Sequence, residues 1–401
     1  MSETNENKLV PKLRFPEFNT NGEWDYLNGD KLFEPIVNKI HNSDLPILAV
    51  TQEQGAIPRN MIDYHVSVTE KSVESYKIVE VGDFIISLRS FQGGIEYSNY
   101  KGLCSPAYII LRKKVDLENN FYRHYFKSVP FIRDLNKNLE GIRDGKMISY
   151  KQFSEILIPK PKPKEQQKIA DCFSSLDEVI TAECQKMEVL KKHKKGLMQN
   201  LFPQDGETVP KLRFKEFEDC EEWVIKPLSE IAENLDSKRI PITESEREKG
   251  DVPYYGASGI IDYVKDYIFN DKLLCISEDG ANLVARTYPI AFTITGKSWV
   301  NNHAHVLKFE SSFTQILVEN YLNFKDIEDY LTGMAQPKLN RSKLDIIPIP
   351  FPSQQEQQKI AATLSSIGDL INAQSQKVET LKLHKKGLLQ GLFPDVNEVN
   401  V

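Results

Sequence analysis

A 39-residue segment that occurs twice constrains this chain more than any other feature. The copies, Glu165 to Pro203 and Glu356 to Pro394, align without a gap and are identical at 24 positions. Neither copy contains an internal proline, and apolar residues recur every seven positions in two parallel series. This pattern predicts a long helix in each copy, with a narrow apolar stripe that is buried best against the stripe of the other copy.

Polar residues interrupt both stripes at matching places. In the first copy the two series are Phe173, Ile180, Met187, Lys194, Leu201 and Ile169, Leu176, Glu183, Leu190, Leu197, and the second copy repeats them 191 residues further on. Glu183 and Lys194 therefore correspond to Gln374 and Lys385. A polar residue in such a stripe lowers stability but can fix the register of a helix pair.

A shorter repeat precedes each helix. VPKLRF at 10–15 returns at 209–214, an offset of 199 residues against 191 for the helices. The chain is thus two units of one form: VPKLRF, a variable middle, the helix, and LFP. The resulting pseudo-two-fold symmetry predicts antiparallel helices, with Val10 as close to Pro394 as Pro203 is to Val209.

The two middles contain strand and helix patterns but differ from each other. Apolar, β-branched runs predict strands, and two longer periodic segments predict helices. The strand segments are 47–50, 83–88, 107–112, 273–277, 291–296 and 305–309, and the helical ones are 119–138 and 314–331. We therefore predict an α/β (α+β) fold with two dissimilar domains at 1–162 and 204–352, a central helix at 163–203, and a distal helix and tail at 353–401.

Proline-rich segments lead into both long helices. Pro163 suits an early helical position, and Ser353 with Glu356 forms the S-x-x-E pattern of a capping box. The totals indicate a globular chain: 401 residues, net charge −6, five scattered cysteines without a CxxC, and no apolar run of membrane length. We expect a cytoplasmic protein with reduced thiols, no contact with a membrane and no uniformly basic coat.

No segment carries a catalytic pattern. AFTITGKS at 291–298 fits a relaxed phosphate-loop pattern, but its residues favour extended chain and no helix pattern follows. His303 and His305 would share one face of an extended strand, yet no Cys or carboxylate lies at ligand spacing next to them. The chain also lacks the glycine-rich cofactor loop and the Asn/Asp-Pro-Pro-aromatic segment of an amino methyltransferase. We therefore predict no catalytic residues and no metal.

Polar loops with glycines and aromatic residues stand out within the middles. Arg, Lys, Gln and Asn pair with base edges, and glycine allows a loop to approach a groove. For a single residue an ordinary solvated loop remains the alternative; for the set we predict contact with DNA. The candidates are Arg89, Gln92, Arg143, Lys146, Tyr255, Asn282, Arg286, Lys297, Asn301, Asn302, His303, Lys338, Asn340 and Arg341. Basic clusters at 191–195 and 382–386 either complement the helix dipole or contact phosphate or an acidic partner.

The chain resembles the specificity subunit of type I restriction–modification systems over its whole length. The doubled VPKLRF and HKKGL, and PKPKEQQKIA with its copy SQQEQQKIA, carry the resemblance. It implies that each domain reads one half of an asymmetric bipartite site in double-stranded DNA. It also implies that the helices space the domains and dock two modification subunits, which methylate adenine with S-adenosylmethionine. Two restriction subunits that use ATP and Mg would complete the complex, so this chain would bind no cofactor and catalyse nothing itself.

A second hypothesis belongs to another class of protein. The long helices and two dissimilar middles also suit a coiled-coil scaffold that joins proteins and never contacts DNA. Binding to random duplex DNA distinguishes the two hypotheses.

Overall fold

The structure is a computed structural model that describes residues 10–42, 44–62, 73–137, 148–333 and 336–395. The chain divides into two compact units. Unit 1 comprises Met1–Glu183 with Lys377–Val401, and unit 2 comprises Cys184–Gln376. Each long helix therefore contributes one part to each unit.

Unit 1 is built on short antiparallel strands and short helices. Its strands are β1 (Asp25–Asn28), β2 (Phe33–Ile36), β3 (Leu48–Thr51), β4 (Gly55–Pro58), β5 (Lys77–Val79), β6 (Phe84–Ile86), β7 (Glu96–Tyr97), β8 (Gly102–Cys104), β9 (Ile109–Lys113) and β10 (Leu157–Lys160). Its helices are α1 (Gly29–Leu32), α2 (Ser90–Gly93), α3 (Asn119–Tyr125), α4 (Val129–Asn136), α5 (Tyr150–Ser154) and the start of the first long helix, α6 (Pro163–Leu201). The largest sheet has the order β2-β9-β6-β7, and β1 pairs with β10.

Aromatic side chains fill the core of unit 1. Phe33, Phe84 and Phe126 are fully buried and meet edge-on or tilted, with centroids 5.1–5.5 Å apart. Such pairs each contribute roughly 0.5–1.5 kcal/mol beyond their buried area. The core extends to the long helices, where Phe173 stacks on Phe393 at 5.8 Å.

Unit 2 contains two four-stranded sheets. Its strands are β11 (Val224–Pro227), β12 (Glu233–Asn234), β13 (Lys249–Gly256), β14 (Gly259–Val264), β15 (Phe269–Asn270), β16 (Leu273–Ser277), β17 (Ala291–Ile294), β18 (Lys297–Val300), β19 (Ala304–Lys308) and β20 (Pro348–Phe351). Its helices are α7 (Asn282–Ala285), α8 (Ser312–Phe324), α9 (Arg341–Asp345) and the start of the second long helix, α10 (Gln354–Leu392). The sheets have the orders β12-β19-β16-β17 and β14-β13-β18-β15, and β11 pairs with β20.

In both units the VPKLRF segment binds the end of a long helix in the same way, and we call this contact the joint of the unit. In unit 1 the Leu13 N–H donates to the Gly391 carbonyl at 2.8 Å, next to the end of α10. In unit 2 the Leu212 N–H donates to the Asn200 carbonyl, also at 2.8 Å, next to the end of α6. The predicted proximity of each VPKLRF segment to a helix end is therefore found in both units.

A buried ion pair locks each joint. Arg14 donates to both oxygens of Glu165 at 2.7 and 2.8 Å, and Arg213 donates to both oxygens of Glu356 at 2.9 Å. Both carboxylates are 1% exposed. Such two-point pairing fixes geometry as well as charge. It also corrects the predicted capping box, because the Glu356 side chain binds Arg213 while Ser353 Oγ alone caps the helix, accepting from the Glu356 N–H at 3.3 Å.

The long helices run antiparallel where they pair in unit 1. Asp177 accepts from Lys385 at 2.5 Å, and further along α6 Glu183 accepts from Lys377 at 2.5 Å. The partner numbers fall as those of α6 rise, which confirms the predicted direction. Both polar interruptions of the stripe in this unit are thus paired across the helices.

The predicted apolar stripe is the less exposed side of each long helix. Every position of the two series is buried or half-buried in α6 and in α10, whereas most other positions are exposed. The outer faces are strongly charged. Across the described residues, no helix combines the length and apolarity needed to cross a bilayer.

Two predicted helices are shorter than the sequence pattern indicates. The segment 119–138 is broken between α3 and α4, because Ser128 adopts an extended conformation and caps α4 through its side chain. The segment 314–331 is α-helical only to Phe324, where Arg286 donates to main-chain carbonyls at the helix end, and a single 3-10 turn follows at Glu328–Tyr330. The predicted strand segments all contain strands.

Candidate nucleic-acid interface

Strand ends of unit 2 bring several predicted loops together. The Asn301 N–H, just after β18, donates to the Tyr255 carbonyl at 3.0 Å. The Glu278 N–H, just after β16, donates to the His303 carbonyl at 2.9 Å, and the Glu278 carbonyl accepts from the Leu339 N–H at 2.8 Å. Segments 255–261, 277–288, 300–303 and 337–340 therefore form one cluster, which we call the unit 2 loop cluster.

A buried polar network supports this cluster. His305 Nδ1 lies 2.6 Å from Asp236 Oδ2, and its Nε2 lies 2.7 Å from the Leu339 carbonyl oxygen. Arg239 donates to Glu278 at 2.7 Å and to a main-chain carbonyl of β19. A carboxylate and a carbonyl are both acceptors, so the His305 ring makes both bonds only when both of its nitrogens carry protons.

Three residues of the network have the geometry of a cation site. Asp236, Glu278 and His305 can each place a ligand atom within 4.8 Å of the others. Arg239, however, lies 3.4 Å from Asp236 and 2.7 Å from Glu278, so a fixed cation already neutralises both carboxylates. We therefore interpret the group as an ion-pair network that holds the loops, and not as metal ligands.

The pKa of Asp236 reflects this environment. Burial raises the pKa of the carboxyl group, but the hydrogen bond and charge of His305, the Val306 N–H and the charge of Arg239 outweigh burial and lower it. Asp236 therefore stays ionised in the folded protein, as the ion-pair network requires.

The exposed candidates of unit 2 fall into three places. Asn302, His303 and Lys338 lie on the surface of the loop cluster, where His303 Nδ1 is 2.7 Å from Asp279. Lys297 lies at the start of β18, the end remote from the cluster, with its ammonium 4.8 Å from the Tyr267 ring centre. Arg341 is exposed in α9 and lies 3.5 Å from Asp345, and Tyr255 is a half-buried member of the cluster.

Four predicted contact residues are engaged in local structure instead. Asn282 exchanges hydrogen bonds with main-chain groups of Tyr288, and Asn301, 5% exposed, accepts from the His303 N–H. Asn340 caps α9. Arg286 donates to three main-chain carbonyls, which occupies its guanidinium group. These four side chains each have a protein partner, so we infer that they position the loops, and their predicted contact with DNA stays a prediction.

The segment with the phosphate-loop pattern is extended, as predicted. Its residues form β17 and β18, joined by a turn in which Gly296 has a φ of +74°. A phosphate cradle requires a helix directly after the loop, and a strand follows here instead.

In unit 1, Arg89 and Gln92 are exposed on a loop at 87–94 that includes the single-turn helix α2. Lys127 donates to the Gly93 carbonyl at 3.0 Å and to Glu96 at 2.5 Å. Gly94 has a φ of +80°, and a Cβ there would lie 1.9 Å from a main-chain oxygen. The backbone therefore fixes where the two candidate side chains emerge. The other candidates of this unit, Arg143 and Lys146, lie outside the described residues.

A concavity of about 660 Å³ lies beside this loop. The turn between β3 and β4 contributes Gln52 and Gln54, and Arg59 follows β4. Gln52 donates to the Arg89 carbonyl at 3.3 Å, which joins the turn to the loop. We missed these residues in the sequence; the polar run at 52–54 between two short strand patterns is the signal that could have indicated them.

Comparison with known proteins places the chain in a defined context. Residues 18–192 and 220–382 match the family described as type I restriction modification DNA specificity domain, which therefore occurs twice. A type I restriction enzyme specificity subunit from Haemophilus influenzae is 36% identical over 36% of this chain and 37% of its own length. The MjaVIII specificity subunit from Methanocaldococcus jannaschii is 24% identical over 82% of this chain and 81% of its own.

Solved structures show the same fold. The S subunit of a type I restriction–modification system from M. genitalium has a TM-score of 0.60 at 17% identity, covering 96% of this chain and all of the other. A chain from a study of complex assembly and conformational transition of the type I R-M system has a TM-score of 0.54 at 16% identity, covering 93% and 98%.

Proposed function

Because the chain belongs to the type I restriction–modification DNA specificity family, we propose that its two units each read one half of an asymmetric bipartite sequence in double-stranded DNA. Membership in this family implies sequence recognition. The two-part reading is our proposal, and it rests on the arrangement of the frame and of the exposed loops.

One observation carries this proposal: matched frames present different surfaces. The Arg14–Glu165 and Arg213–Glu356 pairs and the main-chain bonds beside them have the same geometry in units 1 and 2. Both units also share a four-stranded sheet of matching order (β2-β9-β6-β7 and β12-β19-β16-β17), whereas β3, β4, β5 and β8 form two two-stranded sheets in unit 1 and β13, β14, β15 and β18 form one four-stranded sheet in unit 2. A repeated frame that carries a different second set of strands is the arrangement expected of two modules that hold two different half-sites.

Distinct side chains would read each half. In unit 1 these are Arg89 and Gln92, with Gln52, Gln54 and Arg59 around the concavity; in unit 2 they are Asn302, His303 and Lys338. Amide and guanidinium groups make two-point bonds to adenine and guanine, which gives discrimination of about 1–3 kcal/mol per good pair. Lys297 suits a phosphate contact, which positions the protein without reading sequence.

The long helices would serve as spacer and docking surface. Each is a continuous helix of 39 residues, about 58 Å at 1.5 Å per residue. Their exposed charged faces, including the basic clusters at 191–195 and 382–386, would bind two modification subunits. Those partners, with two restriction subunits, would use S-adenosylmethionine, ATP and Mg, and this chain would add no catalytic group to the cytoplasmic complex.

A binding selection tests the proposal against the protein scaffold hypothesis. The full chain, alone and with modification subunits, is equilibrated with a pool of random duplexes at low salt, and bound DNA is sequenced. We expect enrichment of two short motifs separated by an unread spacer. Arg89→Ala should relax one motif, whereas Lys31→Ala, an exposed control in the same unit, should change neither. Absence of any enriched sequence with the partners present would favour the scaffold hypothesis.

A further inference from the structure

The hairpin of β13 and β14 carries an unusual apolar tip. Its turn is Ala257–Ser258, between Gly256 and Gly259. Ile260 and Ile261 follow directly in β14 and are 48% and 52% exposed. β14 is an edge strand of its sheet. Two adjacent isoleucines at an exposed strand edge present apolar surface to water, and such surface favours association. They therefore indicate a binding role.

An irregularity in the pairing exposes both isoleucines. Tyr254 lies opposite Asp262 and Tyr255 lies opposite Ile260, which leaves Ile261 as an extra residue in β14. In a regular strand, adjacent side chains point to opposite faces, so one would turn toward the sheet interior. A bulge redirects side chains, and here it leaves both isoleucines accessible.

The tip is the part of the unit 2 loop cluster that β13 and β14 contribute, and it is bonded to the other segments. Ser277 Oγ donates to the Ala257 carbonyl at 2.6 Å, and Ser258 Oγ donates to the Tyr288 hydroxyl at 3.1 Å. A Cβ built on Gly256 would lie 3.2 Å from Ile261 and 3.6 Å from Asn301 Nδ2. Ile261 therefore packs over a residue without a side chain, beside the segment that leads to Asn302 and His303.

We propose that this tip enters the major groove and that Ile260 and Ile261 contact a thymine methyl group. A two-stranded ribbon fits the width of the major groove, and the thymine methyl is the apolar group that a base edge presents there. Isoleucine has no polar side-chain atom, so it cannot read a base through hydrogen bonds. The inference rests on the proposed DNA recognition and adds that the half-site read by unit 2 contains an A·T pair recognised by apolar contact.

Replacement of thymine by deoxyuridine tests this contact with one methyl group. The unit 2 half-site is identified from the selected duplexes as the half that Asn302→Ala relaxes, and each thymine in it is replaced in turn. We expect one replacement to weaken binding of the full chain with modification subunits about three- to fourfold, the value of one buried methyl. The Ile260→Ala/Ile261→Ala variant should bind the thymine duplex about tenfold more weakly and show no further loss with deoxyuridine.

Two controls separate this contact from general effects. Ile240→Ala removes an isoleucine of the same unit that is 51% exposed, and it should leave both affinities unchanged. Deoxyuridine in the other half-site should act equally on the wild type and on the double variant.

Several results would overturn the inference. A unit 2 half-site without an A·T pair would do so, as would a deoxyuridine penalty that persists in the double variant. Loss of modification subunits from the double variant with unchanged DNA affinity would identify the tip as a protein contact instead. If the wild type selects no DNA sequence at all, the proposed function fails together with this inference.

Discussion

The matched joints offer a comparison within one molecule, Arg213→Met against Arg14→Met. Each substitution removes the cation beside a carboxylate that is 1% exposed. Removing one partner of a buried ion pair costs about 3–5 kcal/mol, because a buried charge is left unpaired. The two sites nevertheless differ in the hydrogen bonds that the carboxylate keeps after the substitution.

Glu165 keeps a second donor when Arg14 is lost. The Trp24 indole N–H lies 3.1 Å from Glu165 Oε1, whereas Trp223 Nε1 makes no hydrogen bond within the described part of the chain. A hydrogen bond to a charged group contributes about 1.5–3 kcal/mol. We therefore expect Arg213→Met to destabilise unit 2 by about 3–5 kcal/mol. Arg14→Met should destabilise unit 1 by only about 1–3 kcal/mol, because the hydrogen bond from Trp24 still stabilises the Glu165 carboxylate.

Native-state hydrogen exchange of the full chain measures both joints separately. The opening free energies of the segments around β1 and β11 report units 1 and 2, and a global melting temperature would merge them. Arg213→Met/Glu356→Leu should recover much of the loss, because an apolar pair replaces the unpaired charge. Equal costs at the two joints, or a double variant as unstable as the single one, would refute the reasoning.

Three further predictions follow from particular residues. Gly94→Ala should destabilise unit 1 and abolish reading of its half-site, because a Cβ there would clash with a main-chain oxygen. Gly22→Ala is the control, because Gly22 has a similar φ but open space around it, and it should lower the free energy of unfolding by only about 1–2 kcal/mol, measured by thermal unfolding. The pKa of Asp236 is below its ordinary value of 3.8, so its ionised form stabilises unit 2 above that pH and the contribution is lost as pH falls through the lower, folded-state pKa. Asp236→Asn should flatten this acid dependence in hydrogen exchange, and an unchanged slope would contradict it. Adding one heptad after both Gln185 and Gln376 should lengthen the selected spacer by about three base pairs, since seven residues add about 10 Å, and an unchanged spacer would show that the helices do not set it.

The frame was predictable from the sequence because it is repeated and periodic. The apolar series through Phe173 and Leu364 could be predicted from the seven-residue spacing alone. The repeat of VPKLRF could be found by comparing the chain with itself. Symmetry then predicted the helix direction, which the contacts of Asp177 and Glu183 confirm in unit 1.

The candidate site was less predictable because the type of a residue does not show which groups its side chain contacts in the folded protein. Arg286 has the composition of a DNA contact, but the fold brings carbonyls of α8 to its guanidinium group. Gln52 and Arg89 are 37 residues apart, and only the tertiary fold brings the Gln52 amide to the Arg89 carbonyl. Ile261 is exposed because of a bulge, and no local sequence pattern shows that register.

The central claim is that each unit reads its own half of one DNA site. The most direct measurement is selection of bound sequences from a random duplex pool, with the full chain and modification subunits, for the wild type, Arg89→Ala and Asn302→Ala. We predict two short motifs with a fixed unread spacer, of which Arg89→Ala relaxes one and Asn302→Ala relaxes the other. A single continuous motif, or two motifs that both change with either substitution, would contradict the account.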